Sequence, residues 1–313
     1  LFSYKTGVWP ISLEIAGARL SLNQDGSVQL MLGATEIGQG ADTVFSQMVA
    51  ETLHTDMEHV HIKTVQDTDV SPFDTGAYAS RQSFVTGTAV RHCAEILRDK
   101  ILAYAKTLLP EIDTRELTLK DNWIWAGDEQ AISLAALAEE SYYSLTNSSV
   151  LTAEVSEQVK KNTIATGCCF AEVEVDIKLG KIKILHIINV HDSGKLLNPQ
   201  LAEMQVHGGM SMGMGYGISE QLILDEKTGR PLNGNLLDYK LMTMLDTPDI
   251  KADFVELCDP MGPYGNKALG EPPAIPCAPA IRNAVLHATG VAFYENPLTP
   301  QRLIDGFQKA GLI

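Results

Sequence analysis

The chain has 313 residues, 45% of them apolar and 20% charged, with a formal net charge of −15. That length buries a large core and predicts two domains or one large assembly of helices and strands. The acidic balance excludes a nucleic-acid partner, which needs clustered Lys and Arg, but not a phosphate-bearing cofactor, which backbone N–H groups in glycine turns and at helix starts can hold.

In chain order, Ala18, Leu20 and Leu22 alternate with polar residues, Asn23-Gln24-Asp25-Gly26 supplies a turn, and Val28, Leu30 and Leu32 alternate again. This predicts a β-hairpin. The hairpin delivers the chain to Gly33-Ala34-Thr35-Glu36-Ile37-Gly38-Gln39-Gly40, ahead of a helix marked by Val44, Phe45, Met48, Val49 and Leu53. Such a turn exposes N–H groups at the positive end of a helix dipole and suits an anionic or pterin-like ligand, although a purely structural turn has the same composition. His59 to Val65 reads as a strand, followed by a polar loop through Asp67, Asp69, Pro72 and Asp74. Gly76-Ala77-Tyr78-Ala79-Ser80-Arg81 then opens the longest helix, with Phe84, Val85, Ala89, Val90, Ile96, Leu97, Ile101 and Leu102 on one face. Arg81 there reads either as a solvated side chain or as a cofactor clamp.

A second hairpin is predicted from Asp113 to Trp125, and Ser133 caps a short helix through Leu134 and Leu137. Tyr142 to Lys161 is polar, without a period, and is expected to be a linker. Residues 1–150 and 151–313 are therefore expected to form the two halves. The second half restarts with the alternation Phe170 to Ile177, turns at Leu179-Gly180-Lys181 and returns over Ile182 to Val190. After Asp192-Ser193-Gly194 and Leu197-Asn198-Pro199 comes Gln205 to Gly217, where five glycines alternate with Met210, Met212 and Met214. Each glycine costs a helix about 1 kcal/mol relative to Ala, so close approach of another element or a ligand is expected there, with the methionines as core packing. Asp225 to Gly229 predicts one more hairpin turn, Asp249 to Leu257 a strand, and Thr299-Pro300 a closing helix. Hairpins followed by helices in both halves make this an α+β chain, with no detectable sequence repeat.

Glu271 stands between Gly270 and the pair Pro272-Pro273, just before a predicted helix from Ile275 to Gly290. Gly270 widens the backbone choices before the carboxylate and the prolines narrow them after it, which sets its direction early. The plain alternative is an acidic residue favoured by the helix dipole. Cys93, Cys168, Cys169, Cys258 and Cys277 form no C-x-x-C pair, and read as reduced thiols, mostly buried, in a cytoplasmic protein. The sequence carries no apolar run of about 18 residues and no visible signal peptide, so neither membrane spanning nor secretion is expected. It begins at Leu1 rather than Met, within sequence that reads as structured, which predicts a processed or truncated chain or further residues before it.

Taken together, Thr35 to Gly40, Ala79-Ser80-Arg81, Asp192-Ser193-Gly194 with Leu197-Asn198-Pro199, Gly208-Gly209 through Gly215, and Gly270-Glu271-Pro272-Pro273 resemble, in this order, one family. It is the molybdenum hydroxylases of the xanthine dehydrogenase and aldehyde oxidase type, and the likeness is to the C-terminal half of their molybdopterin-binding subunit. The resemblance covers nearly the whole chain. It implies that Gly38, Gln39 and Gly40 contact the pterin and that Ala79, Ser80 and Arg81 lie beside the metal centre and cofactor. Gly270 and Met212 are counted with the cofactor-binding residues. Glu271 would be the base that deprotonates a molybdenum-bound hydroxide, and no protein side chain would ligate the metal. A carboxylate in a dry pocket without a cationic partner would have the raised proton affinity such a base needs.

Two positions depart from the family pattern. Met212 stands near a glutamine of the best-known members, and Tyr78 stands where they have a small residue, which would reshape the substrate pocket. The resemblance further implies an N-heteroaromatic substrate, nicotinate- or purine-like, and a molybdopterin that is a dinucleotide. A large molybdopterin-binding subunit, an iron–sulfur subunit and an FAD subunit would be the partners, passing electrons to NAD(P). The organisation resembles that of anaerobic nicotinate dehydrogenase, with its split molybdopterin region and medium subunit, and a fragment of a longer xanthine dehydrogenase-like chain is the alternative. Aldehyde or carbon monoxide-type oxidation is the alternative within the class, and a non-catalytic cofactor-holding scaffold the alternative outside it.

Overall fold

The computed structural model describes residues 1–8, 13–63 and 65–313 and arranges them in two compact units. Thr6–Thr163 with Cys258–Asn266 form the glycine-turn unit, and Leu1–Lys5, Ile164–Leu257 and Lys267–Ile313 form the glutamate-loop unit. In chain order the strands are β1 (Phe2–Lys5), β2 (Ile15–Leu22), β3 (Val28–Leu32), β4 (Val60–Ile62), β5 (Leu117–Lys120), β6 (Trp123–Ala126), β7 (Glu129–Ser133), β8 (Thr152–Gln158), β9 (Ile164–Asp176), β10 (Lys181–Asp192) and β11 (Asp249–Phe254). The helices are α1 (Ala41–Leu53), α2 (Gln82–Leu108), α3 (Leu134–Tyr143), α4 (Pro199–Ile218), α5 (Cys277–Thr289) and α6 (Pro300–Lys309). Helices and sheets mix in both units, the class expected from the sequence.

In the glycine-turn unit a four-stranded sheet runs in the order β4-β3-β2-β8. Its centre is the predicted hairpin, antiparallel with Leu20 opposite Leu30 and Leu22 opposite Val28. Leu20, Leu22, Leu30 and Leu32 fall on the buried face, and Phe45, Val49 and Leu53 of α1 and Phe84, Val90, Leu97 and Ile101 of α2 are buried with them, α2 packing on β2 and α1 on α2. Each such side chain contributes about 1.5–3 kcal/mol. Ser133 caps α3 as predicted, its hydroxyl accepting from the Ala136 N–H at 3.1 Å.

The stretch expected to be a linker is in part β8, paired antiparallel with β2. Of its seven residues only Ala153 is fully buried, and an edge strand that buries so little reads as polar loop. The chain therefore leaves this unit after Thr163, not at 150/151. β7 adds a third strand to the second hairpin, and its mostly exposed residues gave no alternation to read. The strand expected over His59 to Val65 is shorter, Val60–Ile62, and Thr64 lies outside the described residues.

In the glutamate-loop unit the sheet order is β1-β9-β10-β11. Its core joins Ile184 and Ile187 of β10 to Val206, Met210 and Met214 of α4 and to Cys277 and Ile281 of α5. α6 closes a second cluster through Leu303 and Phe307, with Val285 and Leu298. The turn at Asp225 forms, with the Asp225 N–H on Arg230 O at 2.9 Å, but its flanks make only an isolated bridge, Leu224 to Pro231.

The two sheets share one plan. In each, an antiparallel hairpin leads into a helix that returns a strand parallel to the hairpin's second strand: β2-β3-α1-β4 and β9-β10-α4-β11. In each, a further strand lies antiparallel on the other edge, β8 or β1. The loops at 33–40 and 192–198 thus occupy equivalent places before α1 and α4, and those at 76–81 and 267–271 precede α2 and α5. This duplication of topology leaves no trace in the sequence.

Candidate active site

Glu271 stands at the N-cap position, immediately before a short 3-10 turn, Pro272–Ala274, that leads into α5. Its side chain makes no capping hydrogen bond to that turn. Instead the Tyr4 hydroxyl donates to Glu271 Oε2. Gly270 is not among the described residues with positive φ, so its expected special conformation is not used. The loop's direction comes from packing. The Lys267 N–H donates to Ser193 O at 2.8 Å, Lys267 Nζ pairs with Asp192 at 2.7 Å, and Asn189 Nδ2 donates to Pro273 O at 3.0 Å.

The glycines of α4 complete the seat. A Cβ at Gly209 would stand 2.6 Å from Pro273 Cβ, and one at Gly213 would stand 2.5 Å from Ala274 O and 2.8 Å from Cys277 Cβ. Here the close approach expected of the glycine run is to another element, the turn after Glu271. Gly208 differs: nothing lies within 4 Å of a Cβ there. Met210 and Met214 are core residues, whereas Met212 is 67% exposed.

Met212, Gly213 and Tyr216 of α4 form one wall of a cleft of about 450 Å³ in this unit, and Glu271, Ile275 and Asn296 line it as well. Its walls are mainly apolar, with the Glu271 carboxylate the one ionisable group among them besides the Tyr216 phenol. The dry pocket expected around Glu271 is not built by this unit, since the carboxylate is exposed at the cleft and has a neutral donor in Tyr4. Beneath the loop, Asn189, His191 and Ser193 sit at alternate positions running off the end of β10. Asn189 Oδ1, both His191 nitrogens and Ser193 Oγ are buried without a partner among the described residues. Burial alone pushes His191 down to about 4.

In the glycine-turn unit the loop before α1 is preorganised by its own side chains. Glu36 Oε1 accepts the N–H groups of Gly38 at 2.6 Å and Gly40 at 3.2 Å, and its Oε2 accepts that of Asp42 at 3.1 Å. The anion seat expected at this helix start is therefore filled by Glu36. Burial pushes the Glu36 carboxyl up, but these N–H groups outweigh it and hold the group below its ordinary range. Asp42 is pushed up by burial and by the charge of Glu36. Gln39 is tied inward, accepting from the Ile37 N–H at 2.7 Å and donating to Thr35 O at 3.0 Å and to Gln82. Gly38 remains exposed at φ +100°, a conformation closed to most L residues, with no atom within 4 Å of a Cβ.

Arg81 is fully buried. Its Nε donates to Glu14 at 2.7 Å, its Nη1 to Asp74 at 2.7 Å and Gly76 O at 2.9 Å, and its Nη2 to Ile15 O at 2.7 Å. The guanidinium holds its own loop and does not face solvent, unlike either reading made from the sequence. Ala79 and Ser80, at φ +49° and +50°, are two successive left-handed residues in that loop, a strain of about 1–3 kcal/mol each that the ion-pair network sustains. Tyr78 is exposed, with the Arg81 guanidinium 5.6 Å from its ring centre. Of the cysteines, Cys93 and Cys277 are buried, Cys168 and Cys169 half-buried and Cys258 exposed, so fewer are buried than expected.

Sequence reading missed Tyr4, Tyr216 and Asn296, which carry no local signal. It also missed the capping role of Glu36, for which an acidic residue just ahead of a glycine turn and a helix start was a usable sign.

The family described as molybdopterin cofactor-binding domain matches residues 1–248. The chain belongs to that family. It is 51% identical, over its full length, to the xanthine dehydrogenase molybdenum-binding subunit of Escherichia coli O157:H7, and covers 42% of that protein. Quinoline 2-oxidoreductase from Pseudomonas putida 86 shares the fold with a TM-score of 0.89 at 25% identity, over 98% of this chain and 41% of that one. CO dehydrogenase from Oligotropha carboxidovorans does so with a TM-score of 0.90 at 25% identity, over 99% of this chain and 40% of that one. This molybdopterin-binding chain thus spans about two fifths of the length of the relatives it matches. Among the described residues no helix is long and apolar enough to cross a membrane, and no group of three or more His, Cys, Asp or Glu is placed to hold a metal ion.

Proposed function

We propose that this chain carries the catalytic base of a molybdenum hydroxylase that hydroxylates an N-heteroaromatic substrate, purine-like before nicotinate-like, with water as the oxygen source. The observation that carries the reading is the placing of Glu271: its carboxylate makes no capping hydrogen bond to the turn it precedes and opens on an apolar cleft. The likeness to a xanthine dehydrogenase subunit favours a purine-like substrate.

The residues present fit a pterin-held metal. Gly38 and Gly208 leave open space where side chains would stand, and the cleft beside Glu271 offers flat apolar walls to a heteroaromatic ring. When bound, the molybdenum cofactor, a pterin dinucleotide in this reading, supplies the oxygen transfer and the two-electron oxidation. Glu271 accepts a proton at its carboxylate and holds it while the substrate reacts. Met212 and Tyr216 present an apolar wall to the substrate. Within the glycine-turn unit, Gly38, Gln39 and Gly40 would contact the pterin through a backbone that Glu36 has already ordered, with Ala79 and Ser80 offered by the loop that Arg81 holds and Tyr78 exposed on that loop. Within the glutamate-loop unit, Gly270 would contact the cofactor beside the base.

A large molybdopterin-binding part, joined or separate, completes the site, and iron–sulfur and FAD parts carry electrons to NAD(P). In this reading the chain is inactive alone and works in the cytoplasm. The test is Glu271→Gln in the complex purified through this chain, with molybdenum content and turnover of a purine measured together. The reading expects full molybdenum and turnover lowered by about 100-fold or more. A variant that keeps both would leave a cofactor-holding scaffold.

A further inference from the structure

β1 is four residues long and pairs along one side with β9, with Tyr4 opposite Ala165. Alternate residues of a strand share a face, which puts Phe2 and Tyr4 on one side of it. Phe2 is buried, its ring 5.0 Å from that of His191, and it occupies the space a side chain would need at Gly167. This anchors the strand. Tyr4, half-buried, then projects toward the turn that starts at Glu271, and its hydroxyl donates to Glu271 Oε2. Among the described residues lining the cleft, Glu271 is present and Tyr4 is not, which sets Tyr4 behind the carboxylate.

We infer that Tyr4 is the positioning residue of Glu271, fixing the carboxylate rotamer through a phenol hydrogen bond. The inference rests on the reading of Glu271 as the base. A hydrogen bond to a carboxylate is charge-assisted, so it holds geometry better than a neutral contact.

The experiment compares wild type, Tyr4→Phe and Glu271→Gln in the holo complex. Turnover is measured with kcat and KM separated, and the infrared carboxylate band that Glu271→Gln removes is followed as a second readout. Tyr4→Phe is expected to shift the frequency of that band, because the phenol donor to Oε2 is gone. It should lower kcat by about 10- to 100-fold with KM nearly unchanged. A band frequency and a kcat that stay in place overturn the inference while leaving Glu271 as base. Retained turnover in Glu271→Gln overturns the base reading and the inference with it. Should Tyr4→Phe lose its fold or its molybdenum, a fluorotyrosine at position 4 keeps the shape and donates more strongly. It must then shift the carboxylate band, and an unchanged band overturns the inference.

Discussion

A single methyl group placed at two glycines of α4 should have opposite effects. At Gly213 the new Cβ would lie 2.5 Å from the carbonyl oxygen of Ala274 and 2.8 Å from Cys277 Cβ. Both belong to backbone-anchored elements, so neither yields by a simple rotamer change, and overpacking of this kind costs about 1–3 kcal/mol. The better helix propensity of Ala returns about 1 kcal/mol. Gly213→Ala is therefore expected to lower stability by up to about 2 kcal/mol, a fall in Tm of about 4–8 °C for a unit of this size. At Gly208 no atom stands within 4 Å of the added group and φ is not positive, so only the propensity gain remains. Gly208→Ala is expected to raise stability by about 0.5–1 kcal/mol. Scanning calorimetry of the two variants beside wild type measures both signs, and turnover should fall with Gly213→Ala because Ala274 follows the base by three residues. Equal shifts in the same direction would refute the idea that α4 is glycine-rich in order to seat the Glu271 loop.

Stability should decline on acidification through His191. Burial depresses this residue from the usual 6.5 to about 4, so between those values the unfolded chain binds the extra proton, and the difference is worth ~3 kcal/mol. This contribution is whole above pH 6.5 and is lost as the pH falls toward 4, and urea midpoints against pH should lose that segment of slope in His191→Leu. Arg81→Met should leave Glu14 and Asp74, 1% and 0% exposed, as buried unpaired carboxylates, with a loss of about 3–5 kcal/mol in urea unfolding. Gly38→Ala meets no steric contact but forces Ala to φ +100°, which should cost about 1–2 kcal/mol. If the backbone there touches the pterin, molybdenum content should fall more than Tm predicts.

Much of the fold was legible locally. The hairpin of β2 and β3, the caps of α3 and α6, and the apolar stripes of α1 and α2 are written in alternation, turn residues and 3.6-residue periods that need no distant partner. What failed to show was edge structure. β7 and β8 bury too few side chains to display a period, and the domain boundary was misread as a result.

At the site, sequence alone determined which residues could do chemistry: a carboxylate between a glycine and two prolines, glycine turns at two helix starts, and a glycine-rich helix. Tertiary structure decided how they are used. Tyr4 and Glu271 lie 267 positions apart, so nothing near either residue announces their hydrogen bond. The glycines of α4 are explained only once the turn after Glu271 is seen pressed against them, and Arg81 changes from a surface cation to a buried strut only when Glu14 and Asp74 close on it. Local pattern specifies backbone conformation and chemical type, whereas partner, burial and direction depend on contacts that exist only after the chain has folded.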